Sequence, residues 1–144
     1  MDLDSAKGRA ALEFVGERNR GVLVTQKRDG RPQLSNIAYA LGDDGVVRIS
    51  VTTGRAKTAN VRRDDRASLY VSRDDFWAYA VLEGRAELTP VSAEPGDATG
   101  QELADLYRAV QGEHPDWDDF FAAMVRDGRL VIRLHPQHAY GMLP

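Results

Sequence analysis

The sequence predicts a mostly β, α+β fold, in which about six antiparallel strands form a small barrel with three or four peripheral helices. Short apolar runs separated by turn signals dominate the first half of the chain. Strands and helices do not alternate in the βαβ rhythm of a parallel sheet. One long β-like run contains Gly84, which is typical of a strand that bends. A length of 144 residues further indicates a single domain over residues 1–144.

The first elements are a helix, a hairpin and a third strand. In "SAKGRAALEFVGERN", Ser5 can cap a helix whose apolar residues recur at helical spacing. The stretch "GVLVTQKRDGRPQLSNIAYA" contains two β-like runs around Asp29 and Gly30, the dipeptide that best tolerates the positive φ angles of a tight turn. The run "GDDGVVRISV" adds a loop and a strand with alternating apolar and polar residues.

For the rest of the chain, the sequence predicts one more helix before two strands, then two helices and a final strand. A helix begins around Thr53 and Gly54, and the strands "RASLYVS" and "FWAYAVLEGRAELTP" follow it. Apolar residues at helical spacing predict amphipathic helices in "ATGQELADLYRAVQG" and "PDWDDFFAAMVRDG", the second ended by Gly128. The closing run "RLVIRLHPQHAYGML" is β-like, and Pro136 limits how central its second half can be.

Composition and motifs exclude several classes of function. A net charge of -3 offers no footprint for duplex nucleic acid, and no window approaches the roughly 18 apolar residues of a membrane span. Cysteine is absent, and the three histidines do not have the spacing of a metal site. Neither a nucleophile elbow, a P-loop nor a dinucleotide-binding glycine pattern is present. Because the acidic N-terminus lacks the pattern of a signal peptide, we expect a cytoplasmic protein.

The segment "TTGRAKTANVRRD" places Arg55 and Lys57 in the expected first turn of its helix, where the positive end of the helix dipole disfavours cations. A bound anion would satisfy both cations and the unpaired N–H groups of the helix. Thr58 can add a hydroxyl, and Asn60 lies on the same side of the helix as Lys57. The four residues predict a phosphate cradle. The alternative is that both cations extend into water, because their placement costs only about 0.3–1 kcal/mol.

Two further stretches could border a ligand. Gln33 and Ser35 share one face of the hairpin's second strand with Ile37, and a polar pair at the end of an apolar face would suit the edge of a flat ligand. Trp77 and Tyr79 alternate onto one face of the long strand. These two aromatic residues could pack in the core or across a dimer interface, or they could form a wall for an aromatic ring.

Three stretches, "DGRPQLSN", "GRAKTANVRRDDRASLYV" and "WAYAVLEGRAELTP", resemble the pyridoxamine 5'-phosphate oxidase-like split-barrel proteins. Within that family the chain is most similar to the actinobacterial branch of flavin and deazaflavin oxidoreductases, the group that uses coenzyme F-420. The resemblance runs from about Gly21 to Tyr140 and includes "GEHPDWDDF" and the closing "HAYG". The carboxy-terminal Arg and Trp arrangement of true pyridoxamine 5'-phosphate oxidases is missing, which argues against that reaction.

The resemblance implies a six-stranded split barrel that forms a homodimer, with two cofactor grooves at the subunit interface. The residues that it assigns to the cofactor phosphate are Arg55, Lys57, Thr58 and Asn60. The strand-end residues that would face the ring system and the ribityl chain are Gln33, Ser35 and Ser50. The residues that would come from the other subunit to bound the groove are Trp77 and Tyr79.

The sequence thus predicts an oxidoreductase in which reduced deazaflavin donates a hydride to an unsaturated small organic substrate. No catalytic residue is assigned, because the cofactor carries the chemistry and no proton donor is clearly placed. An FMN enzyme is the alternative within the same class, since both cofactors present a ribityl phosphate. The acidic tail of the deazaflavin, which Lys27 or Arg31 could bind, would distinguish the two cofactors. A carrier or sensor that binds the cofactor without turnover is a second alternative, and a purely structural domain is a third.

Overall fold

A computed structural model describes residues 2–144 of the chain. The helices are α1 (Ala6–Gly16), α2 (Ala56–Arg63), α3 (Ala98–Gln111) and α4 (Trp117–Arg126). The strands are β1 (Arg20–Gln26), β2 (Pro32–Ala38), β3 (Ala40–Leu41), β4 (Val47–Thr52), β5 (Arg66–Ser72), β6 (Tyr79–Leu88) and β7 (Arg129–Met142). The fold is therefore mostly β with four helices, as the sequence predicts.

All neighbouring strands pair antiparallel in one sheet, in the order β2-β1-β5-β6-β7-β4-β3. Strands β2 and β3 lie at opposite edges of this sheet, although only Tyr39 separates them in the chain. The sheet must therefore curl until its two edges meet, which produces the expected split barrel. Tyr39 fixes this corner because it is fully buried and its hydroxyl donates to the carbonyl oxygen of Val15 at 2.6 Å.

The strand count differs from the prediction, which expected six strands where residues 2–144 form seven. The additional strand is β3, whose Ala40 and Leu41 pair with Arg48 and Val47 of β4. The sequence shows no break between β2 and β3, because apolar residues continue through Tyr39. The interruption arises from tertiary structure: the backbone N–H of Tyr39 donates to Asn19 rather than to a neighbouring strand.

The predicted hairpin and bulge are both confirmed. Strands β1 and β2 pair from Arg20 with Ala38 to Gln26 with Pro32, and in the turn only Gly30 takes a positive φ, of 88°. The long strand β6 changes register against β7 between Glu83 and Gly84. A side chain at Gly84 would overlap the carbonyl oxygen of His135, so this bulge requires glycine.

The barrel encloses one apolar core, and a smaller core lies outside it. Leu23, Leu69 and Leu82 are direct neighbours across β1, β5 and β6 and are almost fully buried. On the outer face of β7, Val131 packs with Leu103, Ala104 and Phe120 of the two carboxy-terminal helices. Helices α3 and α4 therefore cover the outer face of β4 and β7, while α1 packs on the main core through Ala11, Phe14 and Val15.

Strand β7 is central only in its first half. Residues 129–134 pair with β4 and, from Ile132 onward, also with β6, whereas the residues after Leu134 pair with β6 alone. Pro136 lies in the second half, in agreement with the prediction. Within residues 2–144, no helix is both long and apolar enough to cross a lipid bilayer.

Candidate functional site

Helix α2 begins directly beyond the end of β4, and its first residues carry cations without a cap. The helix starts at Ala56, so Arg55 is its N-cap residue and only Lys57 lies in the first turn. This corrects the predicted start at Thr53 and Gly54, which instead form the turn that leaves β4. Arg55 makes no side-chain capping bond, and the first turn contains no acidic residue. The positive end of the helix is therefore left without a negative partner from the chain.

A third cation, far from this pair in the sequence, lies close to it in the fold. Arg129 is the first residue of β7 and lies opposite Thr52 in the register of β4, beside the entrance of α2. Its guanidinium donates to the Ser50 hydroxyl at 3.4 Å. The pKa of Lys57 is lowered by burial first, and then by the charges of Arg55 and Arg129.

Salt bridges do not neutralise the three cations in the part of the chain that the structure describes. Among residues 2–144, no carboxylate forms a salt bridge with Arg55, Lys57 or Arg129, although most other arginines of the protein are paired. Three mutually repelling cations beside free helix N–H groups fit a phosphate, which carries up to two negative charges and several acceptor oxygens.

The structure uses Thr58 and Asn60 to anchor α2. The Thr58 hydroxyl is fully buried and donates to the carbonyl oxygen of Thr52 at 2.8 Å. The Asn60 amide donates to Thr25 of β1 at 3.1 Å, and its oxygen accepts from Arg63 at 2.8 Å. These bonds hold the helix against the barrel, so both residues can position the cationic entrance without reaching a ligand themselves.

A cavity of about 500 Å³ opens beside the cationic entrance, between the outer face of β4 and β7, the end of β2, and helices α3 and α4. Its volume is within the range of small-molecule sites. Lys57, Ser50 and Arg129 line one part of it. The apolar part is lined by α3 and α4, chiefly by Leu103, Leu106, Tyr107, Val110, Phe120 and Met124.

The structure brings only some of the predicted residues to this cavity. Ser50 and Lys57 line it, whereas Gln33 and Ser35 lie farther along β2, opposite Thr25 and Leu23. The predicted alternation on β2 is present, since Gln33, Ser35 and Ile37 are half-buried between exposed neighbours. Of these three residues Ile37 lines the cavity.

The predicted aromatic pair divides between a loop and a strand. Strand β6 begins at Tyr79, so the expectation that Trp77 lies on the strand is wrong. Asp75 accepts from the Trp77 backbone N–H at 3.0 Å and keeps Trp77 in the β5–β6 turn. The side chain of Trp77 is 75% exposed, which excludes the alternative that Trp77 packs in the core. Tyr79 is half-buried against Tyr70, with ring centroids 5.6 Å apart.

Sequence reasoning missed Arg129 and the α3–α4 wall. Arg129 reaches the site only through the register between β4 and β7, which joins residues far apart in the chain. The apolar residues of α3 and α4 are visible in the sequence, but their spacing predicts packing and does not distinguish a core from a cavity wall. For metals, no group of three or more His, Cys, Asp or Glu side chains comes together within the described part of the chain.

Comparison with known proteins identifies the family of this chain. The model of the family "Pyridoxamine 5'-phosphate oxidase" matches residues 8–143. The chain belongs to the pyridoxamine 5'-phosphate oxidase family. The resemblance of the sequence to the split-barrel family is therefore confirmed, and the split barrel is the fold of this family.

Several solved structures are similar to this chain. An F420 reductase is 25% identical, with 89% of this chain and 94% of that chain covered and a TM-score of 0.68. A conserved hypothetical protein from Mycobacterium tuberculosis is 23% identical, with 98% and 86% covered and a TM-score of 0.73. A putative pyridoxamine 5'-phosphate oxidase from Listeria innocua is 20% identical, with 94% of both chains covered and a TM-score of 0.63. The last two matches concern the fold alone.

Proposed function

We propose that this protein is a deazaflavin-dependent oxidoreductase that uses coenzyme F-420 to transfer a hydride to a small organic substrate. The observation that carries the proposal is the group of unpaired cations, Arg55, Lys57 and Arg129, at the uncapped entrance of α2. This group adjoins a cavity of about 500 Å³, large enough for a small ligand. The likeness to an F420 reductase at 25% identity supports the choice of cofactor.

In this proposal the chain itself binds, orients and shields the cofactor. Lys57 and the free N–H groups of α2 bind the phosphate, while Arg55 and Arg129 neutralise the remaining charge. Ser50 offers a hydroxyl to the ribityl chain from the outer face of β4, which lines the cavity. Thr58 and Asn60 keep α2 in position. The bound deazaflavin supplies the hydride, and the apolar walls of α3 and α4 exclude water.

We further propose a homodimer with two cofactor sites at the subunit interface. A row of aromatic and apolar side chains crosses the outer face of β1, β5, β6 and β7. Its members, each opposite the next in the strand register, are Val22, Tyr70, Val81 and Tyr140. At the end of this row Tyr140 is 45% and Met142 is 60% exposed, and no strand formed by residues 2–144 pairs with the other side of the second half of β7. An exposed apolar patch of this kind is typical of a protein interface. Trp77 at the adjacent turn would extend the patch toward the groove of the partner.

A side-by-side binding measurement tests the proposed function. Purified protein is dialysed to equilibrium against coenzyme F-420 and, separately, against FMN. The proposal expects tighter binding of coenzyme F-420, whose acidic tail adds contacts beyond the shared ribityl phosphate. Tightly held FMN in the protein as purified would favour an FMN enzyme, and absence of binding to both would contradict the proposal. Loss of reduced-cofactor absorbance with a candidate acceptor then distinguishes an enzyme from a carrier.

A further inference from the structure

The apolar end of the cavity contains a partly buried imidazole, that of His114, to which the proposed cofactor site gives no role. His114 lies in the loop between α3 and α4 and lines the cavity with Leu106, Tyr107 and Phe120. Helix α4 starts three residues after His114 and ends three residues before Arg129. The ten residues of α4 span about 15 Å. His114 and the cationic entrance are therefore near opposite ends of this helix.

The ring of His114 is fixed on several sides. Its Nδ1 atom accepts a hydrogen bond from the backbone N–H of Asp116 at 2.9 Å. The ring centroid lies 5.1 Å from that of Tyr107, 5.5 Å from that of Phe120 and 5.6 Å from that of Trp117. These contacts leave the imidazole little freedom to rotate.

The loop that carries His114 is also held in place. Glu113 accepts from Arg108 at 3.1 Å and from the Trp117 indole at 3.0 Å, so it joins the two helices. Asp116 caps α4 by accepting from the backbone N–H of Asp119 at 3.2 Å. The position of the imidazole is thus determined by the loop and by both helices before any ligand binds.

Fixing Nδ1 as an acceptor determines the tautomer of the neutral ring. A neutral imidazole that accepts at Nδ1 carries its proton at Nε2. Within residues 2–144, the Nε2 atom of His114 has no hydrogen-bond partner. His114 therefore offers a preorganised hydrogen-bond donor to a part of the cavity that is lined mainly by aromatic and aliphatic side chains, with Gln111 and Asp119 as further polar residues.

We propose that this end of the cavity is a separate binding compartment for a flat, apolar molecule that carries a carbonyl or similar acceptor, bound by the Nε2–H group of His114. The apolar walls recognise the ring system, and the fixed Nε2–H donor orients it by its acceptor edge. The inference rests on the proposed function in one respect, which is that the bound molecule is the substrate. A cofactor held at Lys57 would occupy the other part of the same cavity, beside this molecule.

Fluorescence binding tests the compartment without the cofactor. In a Trp77→Phe background, Trp117 is the one remaining tryptophan and reports on ligands beside His114. The probes are 1-indanone, which has a ketone, and indane, which has the same rings without it. The parent protein is expected to bind 1-indanone about tenfold more tightly than indane, the effect of one hydrogen bond. Equal affinity for the two probes, or no binding of either, overturns the proposal.

Two substitutions separate a ligand-binding role from a structural one. Asparagine places an acceptor near the Nδ1 position and keeps the bond from Asp116, whereas glutamine places a donor near Nε2. The proposal expects His114→Asn to lose the preference for the ketone and His114→Gln to retain it. The opposite pattern, with His114→Asn unchanged and His114→Gln impaired, would show that His114 only braces the loop.

Dialysis of the same variants against coenzyme F-420 and FMN keeps the two proposals distinguishable. Unchanged cofactor affinity in His114→Asn, together with a lost ketone preference, supports the separate compartment. If neither cofactor binds but the ketone preference persists, the proposed function fails while the compartment remains. A parallel loss of cofactor and ketone binding in His114→Asn would contradict a compartment separate from the cofactor site.

Discussion

At the scale of single residues, we expect Lys57 to destabilise the ligand-free protein. It lies in the first turn of α2, and burial together with Arg55 and Arg129 lowers its pKa. We expect Lys57→Met, which keeps the aliphatic stem, to raise the melting temperature of the ligand-free protein by about 1–4 °C, because a cation at a helix N-terminus costs about 0.3–1 kcal/mol. Differential scanning calorimetry measures this shift. A lower melting temperature would mean that Lys57 has a stabilising partner.

The same residue should contribute strongly to cofactor binding. We expect Lys57→Ala to weaken binding by about 1.5–3 kcal/mol, or roughly 10- to 150-fold, the range for a charge-assisted hydrogen bond. Arg62→Ala is the matched control, because it removes one exposed cation from the last turn of the same helix. Equilibrium dialysis compares the two variants. Equal cofactor dissociation constants for wild type and Lys57→Ala would show that Lys57 does not contribute to cofactor binding and is only a surface charge.

The sequence predicts residue roles well where the argument is local. The mismatch between cations and the helix dipole depends on a few consecutive residues, so Arg55 and Lys57 could be found without a structure. Arg129 could not, because its place beside them depends on the pairing of β4 with β7. The internal hydrogen bonds of Asn60 also depend on tertiary structure, since its partner Thr25 is on a distant strand.

At the scale of elements, Asp97 holds the start of α3. Its carboxylate accepts from the backbone N–H groups of Ala93, Glu94 and Gly100, and from the hydroxyl of Ser92. Although burial opposes ionisation, these bonds hold the pKa of Asp97 at about 2. An N-cap aspartate of this kind typically stabilises a protein by about 0.5–2 kcal/mol.

This cap predicts a pH dependence of stability. Because the folded pKa of Asp97 is lower than the unfolded value near 4, its contribution is complete above about pH 5 and is lost as the pH falls toward 2. We expect Asp97→Ala to lose about 0.5–2 kcal/mol at pH 7 in urea unfolding, and less at pH 3. Asp97→Asn keeps an acceptor that does not titrate and should reduce the acid dependence. An equal loss at both pH values for Asp97→Ala would contradict this explanation.

The bulge in β6 predicts a second effect on stability. A methyl group at Gly84 would overlap the His135 carbonyl and lie 3.0 Å from the Cα atom of Pro136. We expect Gly84→Ala to destabilise the protein by at least about 1–3 kcal/mol in urea unfolding, because the backbone of β7 must move. Gly54→Ala is the control, since a Cβ atom there would meet nothing within 4 Å. Equal stabilities of the two variants would show that the bulge tolerates a side chain.

Most elements could be predicted because their signals are local. Ser5 caps α1 by accepting from the Gly8 N–H, and the Gly30 turn and the Gly84 bulge occur where the sequence indicates. The errors fall at boundaries that tertiary contacts decide. The β5–β6 turn extends to Ala78 because the backbone N–H of Arg73 donates to the Ala78 carbonyl oxygen, and this keeps Trp77 off the strand.

At the scale of the whole molecule, the exposed outer face predicts self-association. We expect the wild-type protein to sediment as a dimer at micromolar concentration, and Tyr140→Glu to sediment as a monomer, because a charge would then enter the apolar interface. Ala122→Glu on the exposed side of α4 is the control and should remain dimeric. Sedimentation velocity distinguishes the species. A monomeric wild-type protein would contradict the proposed homodimer.

The barrel could be predicted as a class, whereas its closure and its cavity could not. Alternating strands and turn signals indicate an antiparallel barrel, but the corner at Tyr39 depends on hydrogen bonds to Asn19 and Val15. The cavity depends on how α3 and α4 pack over β4 and β7, which helical periodicity alone does not specify. The separation between the cationic entrance and His114 is therefore a property of the assembled fold.

The central claim is that the unpaired cations at the start of α2 bind the phosphate of a ring-bearing cofactor. A crystal structure of the protein with coenzyme F-420 tests it most directly. The account predicts the phosphate within hydrogen-bond distance, about 3 Å, of the Lys57 ammonium and the first N–H groups of α2. Electron density for the cofactor elsewhere, with Arg55 and Lys57 extended into solvent, would contradict it.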